Sequence, residues 1–266
     1  PRAGGPGGDG YIASFHYRGG RIPGRVPVVK ALATALTIGS GGSVGREGPT
    51  MQIAAGMASA LGRRLKLTLR ERRILVVTGA AAATGAIFQI PLGGAIFATE
   101  ILYRDDFETE AVVPAILASV TGYSVFTTVH GQGHLLATAP AYPFDPTTLP
   151  LYAAMALGLS VFGLLWVRAR HAARDRVFAR LAVPPWALPA LGGLVVGAMA
   201  LAVPQVLGAG YGLAQGAILH AAWIPAGHAG WLTLIGLALA KIVATSASLG
   251  SGGAGGEFGP TLVIGA

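Results

Sequence analysis

Cysteine is absent from the 266 residues, which excludes disulfides, thiol chemistry and Cys-ligated metals. Charge is scarce: 11% of residues are Asp, Glu, Lys or Arg, against about 25% in an ordinary soluble domain. Residues 74–99, 181–240 and 242–256 carry none of the four, and within 111–167 Asp145 stands alone. Such runs exceed the roughly 20 residues that cross a bilayer as a helix. They exclude a soluble fold and indicate an all-α, polytopic membrane protein, with every backbone group satisfied inside its own helix. The six histidines (His16, His130, His134, His171, His220 and His228) share no metal spacing and read as loop or interface residues. A net charge of +8 is explained by two basic loops, so no nucleic-acid partner is implied. The chain opens on Pro1 and stops inside an apolar run, which reads as a fragment.

Membrane segments are expected at about 26–40, 49–62, 74–88, 91–103, 111–129, 150–167, 186–203 and 231–249, with a last one starting near 258. Several are too short for a perpendicular crossing, so tilted and partly spanning helices are expected. Arg63, Arg64, Lys66, Arg70, Arg72 and Arg73 form one basic loop; Arg168, Arg170, Arg174, Arg176 and Arg180 form another. Four segments separate them, so both fall on one side, which the positive-inside rule makes the cytoplasm. The acidic turn Asp105, Asp106, Glu108 and Glu110 falls there too, and the 130–149 loop falls outside as a solvated connection.

Glycine is abundant, at 41 residues, which suits close helix packing and interrupted helices. Residues 39–53 recur at 250–264, with nine of fifteen positions identical at an offset of 211. Each copy is a glycine-rich loop, then Gly-Pro-Thr, then an apolar run. Pro49 and Pro260 suit the first turn of a helix, where a missing N–H costs nothing. A helix start with free, glycine-flanked amides binds anions. Counting crossings, with 211–219 as non-spanning, makes the copies antiparallel, the plan of inverted-repeat transporters. The chain is one partial transmembrane domain, 1–266, with repeats at roughly 1–130 and 150–266. Glu47 stands where the anion should bind. It is either a dipole-complementing carboxylate or a gate that leaves when protonated or displaced; an ionisable residue is costly in a membrane, which favours the gate. Arg46 either raises the local positive potential or makes a structural ion pair.

These motifs carry a family resemblance. Residues 45–49 (Gly-Arg-Glu-Gly-Pro) and 255–260 (Gly-Gly-Glu-Phe-Gly-Pro) resemble the GREGP and GGxFxP signatures of the CLC chloride channel and transporter family. Residues 78–82, 88–92 and 97–100 extend it in the expected order, and it covers essentially the whole chain. The resemblance implies selective anion transport rather than catalysis, a bound chloride or nitrate and no cofactor. It also implies a homodimer in a lipid bilayer, here a prokaryotic-type cell membrane. Glu47 matches the family's gating glutamate, and amides around Arg46–Gly48 and Glu257–Phe258 match those lining the anion path. The family's inner-gate tyrosine and last helices lie beyond residue 266.

The departures bear on mechanism. Pro6 stands where the family's first signature has a serine, as in plant members that favour nitrate. Ile101 occupies the position of the exchangers' inner glutamate and cannot carry a proton. Its neighbour Glu100 is either a helix-end carboxylate or a substitute on a proton path. A passive channel is therefore favoured, with a proton-coupled chloride or nitrate exchanger as the alternative. Glu257 replaces a usually apolar residue, and a pair with Arg46, its counterpart in the other copy, is expected. Phe258 takes the place of Glu47, as a wall of the path or as core. A soluble nucleotide-binding enzyme is set aside because the loops match neither Gly-x-Gly-x-x-Gly nor a P-loop. An intramembrane hydrolase using Ser40 or Ser251 is set aside because no histidine is placed near either.

Overall fold

A computed structural model describes residues 4–133, 136 and 145–266. Eleven α-helices account for most of them: α1 Gly8–Tyr17, α2 Arg25–Gly39, α3 Glu47–Arg64, α4 Leu69–Phe88, α5 Pro91–Glu100, α6 Thr109–His130, α7 Leu149–His171, α8 Leu188–Ala202, α9 Tyr211–Ile218, α10 His228–Gly250 and α11 Phe258–Gly265. Among the described residues the only extended pairing is a parallel bridge between Gly5 and Ala254.

Local chemistry sets the boundaries. Thr68 and Glu71 form a capping box at the start of α4, so two orphan backbone donors are met reciprocally. That helix ends where Gln89 turns left-handed at φ 57°. Proline occupies the first turn of α3, α5, α7, α8 and α11, where its lacking N–H breaks no bond. Every expected segment has its helix. The segment not anticipated is α1, ten residues opening on Gly8-Asp9-Gly10, too short and polar at its start to show a membrane pattern. Among the described residues three helical stretches are long and apolar enough to cross a bilayer: Thr109–His130, Pro146–Arg180 and His228–Gly250. By contrast α9, eight residues long, rises only about 12 Å and cannot span one.

The chain divides into two compact units. Unit 1 comprises residues 1–36, 46–135 and 254–256; unit 2 comprises 37–45, 136–253 and 257–266. The units follow the two sequence repeats apart from two short exchanged segments, 37–45 and 254–256.

In unit 1, α4 packs against α3, α5 and α6 over a core that includes Tyr11, Phe15, Met51, Val76 and Val77. Small residues let the backbones meet. A methyl group on Gly79 would come within 2.7 Å of Ala58 Cβ, and one on Gly122 within 2.5 Å of the Ala82 carbonyl oxygen. Arg70 grips Glu110 through two hydrogen bonds, from Nε at 2.7 Å and from a terminal nitrogen at 2.5 Å. That pair joins the basic loop to the acidic turn, in agreement with their expected common side.

In unit 2, α10 packs on α7 and α8 around Phe178, Val196, Val206 and Ala244, with a second cluster of Val44, Trp166, Ile242 and Leu249. The second basic loop is partly helix: Arg168 and Arg170 lie in the last turn of α7, followed by a π-helical stretch Ala172–Val177 and a 3-10 turn Phe178–Arg180. Large apolar side chains of α7, such as Leu151, Leu157 and Leu164, stay exposed, as lipid-facing residues do. His134 and most of the 130–149 connection lie outside the described residues.

Candidate anion site at the glycine loops

Three glycine-rich segments meet in unit 1. The first is residues 5–7, with Gly5 (φ 74°) and Gly7 (φ 92°) in the left-handed region that side chains avoid. The second is the start of α3 at Glu47 and Gly48, and the third is residues 254–256. Gly5 pairs with Ala254, and Gly255 N donates to the Gly5 carbonyl oxygen at 3.4 Å. A methyl group on Gly48 would overlap the Pro6 carbonyl oxygen. One on Gly7 would come within 2.6 Å of the Gly48 carbonyl oxygen. Side chains are thus excluded where these backbones touch.

Two helices start at this contact. Neither α1, capped at Gly7, nor α3, capped at Arg46, has a side-chain hydrogen bond at its N-cap. Both starts therefore present their positive dipole ends without a capping side chain. Pro49, in the first turn of α3, lacks an N–H there. Beside them, Lys30 is fully buried, with Nζ donating to the Gly5 carbonyl oxygen. No carboxylate pairs with it among the described residues. Uncapped helix starts and a buried lysine without a close ion pair make a region that favours an anion, although the Asp9 carboxylate acts on Lys30 through space.

Glu47, the first residue of α3, is 5% exposed, so the candidate gate is a buried carboxylate at this helix start. Arg46 is exposed and Pro6 half-buried. Glu100 is the last residue of α5 and exposed, lining a cavity of about 380 Å³ with Asp105 and Asp106. Ile101 packs against the apolar core of unit 1. Among the described residues no cluster of metal-ligating side chains forms.

In unit 2, α11 begins as α3 does. Thr261 donates from its backbone N (3.0 Å) and its hydroxyl (3.1 Å) to the Glu257 carbonyl oxygen. Thr50 does the same to Arg46, at 3.0 and 2.7 Å. The expected Arg46–Glu257 pair is corrected: Glu257 pairs with Arg170. The physical reason is that α7 continues to His171, which puts Arg170 on a helix packed against α11 rather than in a solvated loop. Phe258 is partly exposed, at 39%.

Sequence reasoning missed Lys30 and Lys241. Lys241 is also fully buried, and its Nζ donates to the carbonyl oxygens of Val206 (2.9 Å) and Gly208 (2.7 Å). The two lysines are 211 positions apart, the offset of the glycine loops. Gly208 and Gly210 are left-handed and precede α9 as Gly5 and Gly7 precede α1. Each lysine thus holds the first glycine of an equivalent Gly-x-Gly turn. Carrying the offset upstream of residue 39 finds the lysines.

The family profile described as "Voltage gated chloride channel" matches residues 1–266. A putative chloride channel protein, ClcB-like, from Ralstonia nicotianae is 34% identical over 98% of this chain and 59% of its own length. A voltage-gated ClC-type chloride channel, ClcB, from Salmonella typhi is 35% identical over 90% of this chain and 55% of its own. The chain therefore spans under three fifths of the length of these relatives. The crystal structure of a CLC-type fluoride/proton antiporter superposes with a TM-score of 0.78 at 25% identity, covering 96% of this chain and 62% of that one. A slow cyanobacterial Cl⁻/H⁺ antiporter gives 0.79 at 24% identity, over 99% and 61%, and supports the fold alone. With its glycine loops, paired helix starts and whole-length profile match, this chain is an α-helical integral membrane protein that belongs to the voltage-gated chloride channel family.

Proposed function

We propose that the chain transports small inorganic anions across a prokaryotic-type cell membrane, with Glu47 as the gate. One observation carries this reading: the uncapped starts of α1 and α3 meet through glycine backbone beside the buried Lys30. A desolvated anion needs such donors, and a buried carboxylate at the same helix start competes with it. Protonation or displacement of Glu47 opens the path. In unit 1 the amides around Arg46–Gly48 line it, and Pro6 replaces the hydroxyl that contacts the ion elsewhere in the family. Chloride and nitrate are both candidate substrates. The relatives' names support chloride, and Pro6 supports nitrate.

The mechanism favoured is passive conduction, because Ile101 leaves no acid at the inner proton position. The second reading is proton-coupled exchange on the same fold. It is favoured by the CLC-type fluoride/proton antiporter to which the chain is structurally similar. Nothing in the reading calls for a cofactor or an enzymatic reaction, and a homodimer is expected from the family. The test is the reversal potential in reconstituted vesicles under chloride, nitrate and proton gradients, for the parent and Glu47→Ala. The variant should pass anions without pH-dependent gating. A parent potential that follows the proton gradient establishes exchange. A variant that retains the parent's pH dependence refutes the gate.

A further inference from the structure

Unit 1 holds a second concentration of positive charge, at the opposite end of α3 from Glu47. Sixteen residues of helix separate Glu47 from Arg63, about 24 Å at 1.5 Å per residue. There a cavity of about 690 Å³ is lined by Arg18, Arg21, Arg63 and Arg72, with Tyr17 and Leu69 at its edge. No carboxylate lines it. Among the described residues the ion pairs are made by Arg70, Arg104, Arg170 and Arg174, so none of the four cavity arginines is neutralised.

The cavity is held by its own cations. Arg72 is buried, and its Nε donates to the Gly19 carbonyl oxygen at 2.8 Å. Arg63 donates to the Ile22 carbonyl oxygen at 2.8 Å and to Ser59 Oγ at 3.0 Å. Ser59 in turn donates to the Gly20 carbonyl oxygen and accepts from Ile22 N. These bonds fix the 18–23 turn against the ends of α3 and α4. They satisfy part of each guanidinium's five donors and none of its charge. Folding thus gathers four like charges around one void.

A halide is far smaller than this space. Several planar guanidinia suit an anion with several oxygens, which they bind in pairs. Tyr17 and Leu69 are exposed beside the arginines, and the basic loop faces the cytoplasm by the charge rule. Arginine pockets with apolar rims at that interface bind lipid headgroups. We propose that this cavity binds a phosphate-bearing anion, supplied in the membrane by the headgroup of an anionic phospholipid.

The test is native mass spectrometry of the detergent-purified protein, titrated separately with phosphatidylglycerol, phosphatidylcholine and inorganic pyrophosphate. Phosphatidylglycerol should be retained about tenfold better than phosphatidylcholine. That preference should vanish in Arg18→Gln/Arg21→Gln, whose exposed side chains anchor no backbone, with an unchanged melting temperature. It should persist in Arg104→Gln, which alters an exposed arginine outside the cavity. Arg72→Lys keeps the charge but loses the fork and should fall between. Pyrophosphate binding without a lipid preference, if lost in the same double variant, identifies a soluble phosphate as the source. Equal retention of both lipids with no pyrophosphate binding overturns the proposal. So does a preference that survives the double variant. None of these readouts depends on anion flux, so the proposal stands or falls apart from the transport reading.

Discussion

At the start of α3 the residue ahead of Gly-Pro-Thr is Glu47, buried, in unit 1. At the start of α11 it is Phe258, partly exposed, in unit 2. Both helices lack a side-chain cap, and both use a threonine to hold the same carbonyl four residues back. The polar neighbour differs as well. Arg46 is exposed, whereas Glu257 is held by Arg170. The backbone device is duplicated and the side chains are not. Shared glycine, proline and threonine set the geometry of the two helix starts, while the side chains at 46 and 47 differ from those at 257 and 258.

The comparison breaks most severely where backbone touches backbone. Gly48→Ala places a methyl group into the Pro6 carbonyl, which has no rotamer by which to yield. A loss of about 3 kcal/mol or more is expected, seen as poor yield of folded protein by size-exclusion chromatography. The buried lysines come next. Lys241→Met orphans two carbonyl oxygens, at about 1–3 kcal/mol for each buried group, whereas in Lys30→Met the Gly5 carbonyl keeps the Gly255 N–H. Thermal unfolding in detergent should therefore show the larger loss for Lys241→Met, and vesicle flux the larger loss for Lys30→Met. Equal effects in both assays would mean that the two positions do not differ in role.

A subtler contrast lies in the charges. Arg170→Ala leaves Glu257 unneutralised at a helix start that should favour anions, so anion flux should drop several-fold. Arg170→Ala/Glu257→Gln should restore it, with a coupling of about 1 kcal/mol in stability for a pair that is roughly three-quarters buried. No recovery in the double variant would make the pair purely structural. The smallest effects belong to the shared element. Thr50→Val and Thr261→Val should each cost about 0.5–1 kcal/mol and match one another in melting temperature.

Most of the helix plan was legible because lipid-spanning segments announce themselves by lacking charge. The paired glycine loops were legible because their backbone role demands particular residues. Other features were not, for separate physical reasons. Helix α1 opens on Gly-Asp-Gly and buries only one side, so it shows neither an apolar run nor a strong cap. Lys30 and Lys241 look like interruptions of apolar stretches; their purpose appears only when the carbonyls they hold are brought within reach. Glu257 was expected to pair with Arg46 by repeat symmetry. Its partner is 87 residues away, in a helix turn that composition presents as loop.

The exchanged segments have a consequence for biosynthesis. Unit 1 contains residues 254–256, which reach it long after residue 135 has left the ribosome. Its Gly5 edge must wait through the making of all of α6 to α10 before Ala254 arrives to pair with it. Folding in the usual order, first half before second, cannot complete this unit. The nascent first half must persist in the membrane with an open glycine edge until residues 254–256 emerge, so early insertion alone leaves unit 1 unfinished.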